Sequence, residues 1–145
     1  MIGFSVLRQA IIDKINAAIT AGTISHIGEA YWSPSEIEKM PAVVVMPESL
    51  ESTYQNTAGG RHRTFVFRVY VLKNLGEEKQ IDVEKLLSSS VDELIELFDK
   101  KNALIVDRLL HVKPTPSVWD FVEYGGGEAR AATFTLSCDV IVETT

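Results

Sequence analysis

The chain has 145 residues, 46% of them hydrophobic and 23% charged, with 9 Gly and 5 Pro. That is one domain's worth of sequence, long enough to bury its own core and too ordinary in composition to be disordered, collagen-like or of low complexity. Twenty acidic residues against fourteen basic ones leave a net charge of −6, which argues against a dedicated nucleic-acid binder; one Cys excludes an internal disulfide and a cysteine zinc cluster, and three His do not suggest a His-rich metal site.

The first residues do not read as a signal peptide, because Met1–Phe4 lacks a basic region and Arg8, Gln9, Asp13 and Lys14 interrupt any apolar run. No window approaches the ~20 apolar residues of a membrane span. A reducing cytoplasm is the expected setting.

Residues 5–21 read as an amphipathic helix, with Leu7, Ile11, Ile15 and Ile19 on one face and Gly22 as its C-terminal cap. Residues 24–32 look extended. Ser33 and Pro34 suit the N-cap and first position of one short helical turn that Pro41 stops. Ala42–Met46 is an apolar run closed by Pro47, as in a strand buried on both faces. Residues 48–63 are polar and turn-rich. The strongest strand follows at Thr64–Leu72, with Phe65, Phe67, Val69 and Val71 facing one way.

After a turn at 74–79, Asp82 can cap a second helix running to about Lys101. Val83, Leu87, Val91, Leu94, Ile95 and Phe98 form its apolar stripe. Residues 104–113 are extended and broken by Pro114 and Pro116. Val118–Tyr124 is a strand, Gly125-Gly126-Gly127 a hairpin turn, and 130–143 the last strand, with Phe134, Leu136, Cys138, Val140 and Val142 inward. Strands come in runs, so the expectation is a single α+β domain over 1–145. It has about six strands in a mainly antiparallel, mixed sheet and two helices packed on one face.

Charge is uneven. Residues 51–73 carry four cations against one carboxylate, whereas 74–102 carry four cations against eight carboxylates. These patches either are solvated surfaces or complement each other between copies, head to tail. The second helix holds the acidic face: Glu84, Asp92, Glu93, Glu96 and Asp99. The 48–63 segment exceeds the usual connection of about 4–6 residues. Its Tyr54, Gln55, Asn56, Gly59, Gly60, Arg61, His62 and Arg63 form either a surface loop or a hairpin arm gripping a neighbouring subunit, a partner or DNA phosphate.

Catalytic chemistry is sparse. No Gly-rich loop precedes a helix, and there is no Gly-x-Ser-x-Gly elbow. Ser88-Ser89-Ser90 lies inside a helix, and Cys138 at an inward position is expected to be inert. His26 and Glu29 would point to opposite faces of a strand. His111 has Asp107 four residues upstream. A site assembled from His26, Glu29, His111 and Asp107 is the alternative reading, in a small enzyme or ligand-binding domain.

The order of parts resembles the tail-terminator (tail-completion) proteins of long-tailed bacteriophages and minor tail proteins of similar fold. The resemblance rests on the helix Leu7–Ile19, the Pro-bounded step Met40-Pro41-Ala42-Val43-Val44-Val45, and the polar loop feeding the aromatic strand Arg63–Val71. The Leu87…Leu94…Phe98 helix and the alternating Phe134–Val142 strand complete it. The resemblance implies a structural protein without catalytic residues, cofactor or metal, assembled in the host cytoplasm and carried in the virion. It implies a hexameric ring that caps the tail tube, ends its polymerisation and offers the head–tail joining surface. Its partners would be copies of itself, the tail tube protein and the head–tail connector. DNA would pass through without specific binding, past an acidic lumen, and no membrane is involved. Another neck component, a head-closure or adaptor protein, is a further alternative.

Overall fold

The computed structural model describes residues 3–54, 60–74, 79–100, 103–106, 108–116, 120–124 and 127–143. Helix α1 spans Phe4–Ala21 and buries Leu7, Ile11, Ile12, Ile15 and Ala18. Gly22, left-handed at φ 80°, ends it by returning its N–H to the carbonyls of Ala18 and Ile19, a conformation that costs glycine nothing.

The extended stretch expected over 24–32 shrinks to β1, Glu29–Tyr31. Before it, Ile24 and Ile27 are buried without pairing to another strand, so burial rather than strand geometry set their apolar character. Gly28 is required by a close approach: its N–H donates to the Pro41 carbonyl at 2.8 Å, and a Cβ there would lie 2.8 Å from the Lys39 Cβ. Ser33 Oγ accepts from the Ser35 N–H and starts the single 3₁₀ turn Pro34–Glu36.

Strands β2, Ala42–Tyr54, and β3, Gly60–Asn74, form a long antiparallel hairpin paired from Ala42↔Leu72 to Tyr54↔Arg61. Pro47 does not end β2; it sits at a register shift between Pro47 and Ser49, where a missing N–H is tolerated. Most of the polar 48–63 segment is therefore ladder and not loop. Only 55–59 lies outside the described residues. The segment gave no alternation because Pro47–Leu50 and Glu51 are exposed, and strands without a buried face carry no period-2 signal.

Helix α2 spans Gln80–Phe98. Lys79, not Asp82, is its N-cap; Asp82 lies inside the first turn, where a carboxylate suits the helix dipole. Strand β4 is Leu109–Pro116, so the prolines lie within it and do not break it. It is an edge strand, and an edge leaves one row of N–H groups without a ladder partner. Strand β5, Asp120–Tyr124, pairs Tyr124 with Gly127, the first residue of β6, Gly127–Glu143. Gly127 thus opens a strand; Trp119, Gly125 and Gly126 lie outside the described residues.

The strand order is β1-β2-β3-β6-β4, with β1–β2 parallel and the rest antiparallel. β5 and β4 occupy successive stretches of one edge of β6, opposite 127–131 and 134–140. Six strands therefore fill five columns. Val43, Val45, Phe65, Phe67, Val69, Val71, Phe134, Leu136, Cys138 and Val140 share one core with the buried residues of both helices. Both helices lie on that face, α1 against β1 and β2, α2 against β3, β6 and β4. The opposite face holds a smaller cluster of Val44, Leu72 and Ala131, partly covered by Ile37 and Met40.

Candidate assembly surfaces

The hairpin end of β2 and β3 is continued by β6. Thr53 pairs with His62, which pairs with Ile141; Ser52 pairs with Arg63, which pairs with Val140. The end of the hairpin is thus part of the wider sheet and not a free two-stranded finger, and Val140 pairs in turn with Leu109 of β4. His62 and Arg63 are half-buried in it. Arg63 stands two residues from Phe65, on the same helix-covered face, and its Nε is buried without a hydrogen-bond partner among the described residues. The backbones of Tyr54 and Arg61 pair, Gly60 pairs with Glu143, and Gln55, Asn56 and Gly59 lie outside the described residues.

The acidic face of α2 divides in two. Glu84 forms an ion pair with Arg130 Nε of β6 at 3.4 Å. Glu93 Oε2 accepts from the N–H (3.1 Å) and hydroxyl (3.4 Å) of Ser25, and its Oε1 lies 3.9 Å from His26 Nε2. These two carboxylates tie α2 to the sheet and to the loop after α1. Asp92, Glu96 and Asp99 are exposed and form the acidic surface proper. Asp99 is also the C-cap of α2, where a carboxylate opposes the helix dipole.

On the face of the sheet away from the helices, Asp139 links three strands. Its Oδ1 accepts from Thr64 Oγ1 of β3 at 2.5 Å, and its Oδ2 lies 2.7 Å from His111 Nε2 of β4. The carboxylate stands between hydroxyl and imidazole, so no base touches the hydroxyl through the ring, as nucleophilic catalysis by a His would require. Arg68 and Glu48 bridge β3 and β2 nearby, with Nε to Oε1 at 3.0 Å.

The three described residues of the alternative reading do not gather. His26 pairs with Glu93 on the helix side, His111 pairs with Asp139 on the opposite face, and Glu29 opens the edge strand β1. Asp107 lies outside the described residues. No group of three His, Cys, Asp or Glu suited to a metal occurs among the described residues. Burial in the core pushes the Cys138 thiol up to about 12, with Asp139 adding to the rise, so it stays protonated and unreactive.

Sequence reasoning missed two things. The partners of His26 and His111 come from 67 and 28 residues away, and only strand register and helix packing bring them together. Around Trp32, Gln9 accepts from the indole Nε1 at 2.6 Å, and the Arg8 guanidinium lies 4.4 Å above the ring and donates to the Trp32 carbonyl. Burial holds Arg8 below the usual arginine range, against the opposing influence of Glu36. The indole and guanidinium types were the available signal there.

These features define an α+β domain with two helices on a mixed sheet and no assembled catalytic cluster among its described residues. No family model matches the sequence, and no curated protein matches it. Among solved structures, one chain of the virion of a native gene transfer agent particle has the same fold, with a TM-score of 0.59. The likeness covers 94% of this chain and 95% of that one at 16% identity, and it is a likeness of fold. No described helix is long and apolar enough to cross a membrane.

Proposed function

We propose that the protein is a structural component of a phage-like virion, and within it a tail terminator. Copies form a ring on the end of the tail tube, stop its polymerisation and present the surface that meets the head connector. One observation carries the reading: a fold shared end to end with a chain of a gene transfer agent virion. Matching coverage of both chains makes the whole domain the unit of likeness. The order of helices and strands supports the terminator role through its resemblance to that family. So does the long hairpin of β2 and β3, paired out to Tyr54↔Arg61. In this reading the partners are further copies, the tube protein and the connector. The exposed carboxylates Asp92, Glu96 and Asp99 face the passage or a neighbouring copy, where acidic groups let DNA slide without gripping its phosphates.

The test is location and length. A gold-labelled tag on the protein is expected at the head–tail junction of the particles that carry it. Particles assembled without the protein are expected to have over-long tubes. Tubes of normal length beside unjoined heads would assign it to head closure instead, and the absence of label from particles would overturn the virion reading.

A further inference from the structure

The sheet has two outer edges, and each is open along part of its length. On one side, β1 covers β2 only over Ala42–Val44. There the edge is closed, because the side-chain amide of Asn16 accepts from the Ala30 N–H at 2.8 Å and donates to the Ala30 carbonyl at 3.2 Å. Just beyond, the Arg8 guanidinium lies 3.4 Å from Met46 Sδ. From Glu48 to Tyr54, β2 has no strand on that side among the described residues. Glu48, Ser49, Leu50 and Glu51 are exposed, Leu50 at 46%. On the other side, β4 ends the sheet. Unpaired edges of this kind are templates for another strand.

The register fixes which way the edge backbone points. In an antiparallel ladder, successive residues turn their N–H and C=O groups to alternate sides. The Ile141 N–H donates to the Arg108 carbonyl at 3.0 Å, so Ile141 and Asp139 face β4 while Cys138 faces β3. Val112, opposite Cys138, therefore turns its N–H and C=O outward, in step with Pro114 and Pro116, which have no N–H to leave unpaired. Phe65, also opposite Cys138, faces β6, so Leu50 opposite Phe65 turns outward as well. Leu50 and Val112 thus end one row across the sheet, Leu50–Phe65–Cys138–Val112, on the same face. Pro47 and Pro114 share another row, so the stretch able to accept a strand stops at the same level on both edges.

Three antiparallel pairings separate β2 from β4, so the two edges run in opposite directions. Copies in the same orientation therefore bring β4 of one antiparallel to β2 of the next, a heterologous contact that repeats around a ring. Setting Leu50 against Val112 puts Glu51 beside His111 and Ser49 beside Lys113. Residues 48–54 carry Glu48 and Glu51 and no cation, whereas 108–113 carry Arg108, His111 and Lys113 and no carboxylate. Arg68 already holds Glu48, and Asp139 holds His111. Glu51 and Lys113, both exposed, are left to meet on the diagonal. Pairing β2 with β2, or β4 with β4, would bring like charges together instead.

We infer that the β2 edge over 48–54 of one copy adds to the β4 edge over 108–113 of a second copy, so that the sheet continues from protomer to protomer. The inference rests on the ring proposed above and names the backbone contact that builds it.

Two one-sided substitutions test it. Leu50→Pro and Val112→Pro each remove one outward N–H and no ladder bond within the protomer. At about 1 mM, the weak end of specific association, sedimentation velocity is expected to show wild-type species larger than a dimer and each variant alone as a monomer. An equimolar mixture of the two is expected to form a 1:1 dimer, because each brings the edge that the other lacks. Unchanged melting temperatures verify that both fold. Charge reversal repeats the test where proline lowers them: Glu51→Lys and Lys113→Glu should each associate several-fold more weakly than the wild type, and their equimolar mixture should recover. A monomeric wild type, variants that associate as the wild type does, or mixtures without recovery overturn the inference. A Val112→Pro variant that dimerises alone would show β2 pairing with itself and overturn it too. A monomer whose tag still marks the head–tail junction overturns this contact and leaves the virion reading standing.

Discussion

The two faces of the sheet are made by the same strands and have opposite fates. On β3, Phe65, Phe67, Val69 and Val71 are buried under the helices, whereas Val66, Arg68 and Tyr70, between them, are half-exposed. On β6, Phe134, Leu136 and Cys138 are sealed in the core, whereas Thr135, Ser137 and Asp139 reach water. The covered face supplies stability through apolar area removed from water. The open face is held by pairs between strands, namely Thr64–Asp139, Asp139–His111 and Arg68–Glu48. It keeps the polar surface that an assembly protein can present to its partners. Adjacent residues should therefore differ sharply in what their removal costs.

The largest effect is expected at Phe67, fully buried with its ring 5.5 Å from that of Phe4 in an edge-on contact. Phe67→Ala should lower stability by about 3–5 kcal/mol, read from chemical denaturation. A near-neutral result would mean that this face is not the core. Next comes Tyr31, whose in-register partner Val44 belongs to the small second cluster. Its hydroxyl accepts from the N–H groups of Glu38 and Lys39 at 3.2 and 3.0 Å, pinning the segment that covers the open face. Tyr31→Phe should cost about 1 kcal/mol and speed amide exchange at 38–39 while leaving β3 protected. Uniform loss of protection would show that this cover and the main core unfold as one unit.

Asp139→Asn is expected to cost about 0.5–1.5 kcal/mol, because one carboxylate serves two strands. Its neighbour Cys138 gives a chemical check on the same boundary. With the thiol pushed up to about 12, alkylation of the folded protein at pH 8 should be negligible and should proceed at once in denaturant. The sign follows from linkage. The folded state keeps the proton that the unfolded thiol sheds, so this contribution to stability is present at neutral pH and declines as pH rises above the ordinary thiol range. Rapid labelling of the native protein would mean that the face opens.

Much of this contrast was legible in the sequence, and the exceptions share a cause. The stripes of α1 and α2, the strand Thr64–Leu72 and the inward set Phe134, Leu136, Cys138 and Val140 were readable because each has one face in the core, which stamps a period on the residues. The stretch from Glu48 was read as loop because Glu48, Ser49, Leu50 and Glu51 are exposed although this strand pairs with β3, so the pairing left no alternating hydrophobic trace. Pro114 and Pro116 looked like strand breakers because nothing in the sequence marks β4 as an edge. Of the candidate site, the acidic character of α2 was plain, but the engagement of Glu84 and Glu93 within the protomer was not. Their partners Arg130 and Ser25 are distant in sequence, and only the packing of α2 brings them near. The same holds for His111, whose carboxylate comes from β6 through strand register and not from Asp107 on its own segment.

The smallest effect is expected one residue from the largest. Arg68 adjoins Phe67 on β3 but points to the open face, where its guanidinium meets Glu48 at 2.5 Å with both side chains about a third exposed, 32% and 33%. Water competes for both charges, and two long side chains lose freedom to hold one geometry. An ion pair of this kind contributes about 0.2–1 kcal/mol. Arg68→Ala should therefore cost no more than that, and raising the salt concentration should shrink the difference from wild type as the charges are screened. Arg68→Ala combined with Glu48→Ala should cost little more than either alone, because each single change already breaks the pair. A loss approaching that of Phe67→Ala would mean that the outer face of β3 is closed by packing, and the division between a sealed face and an open one would fail at its centre.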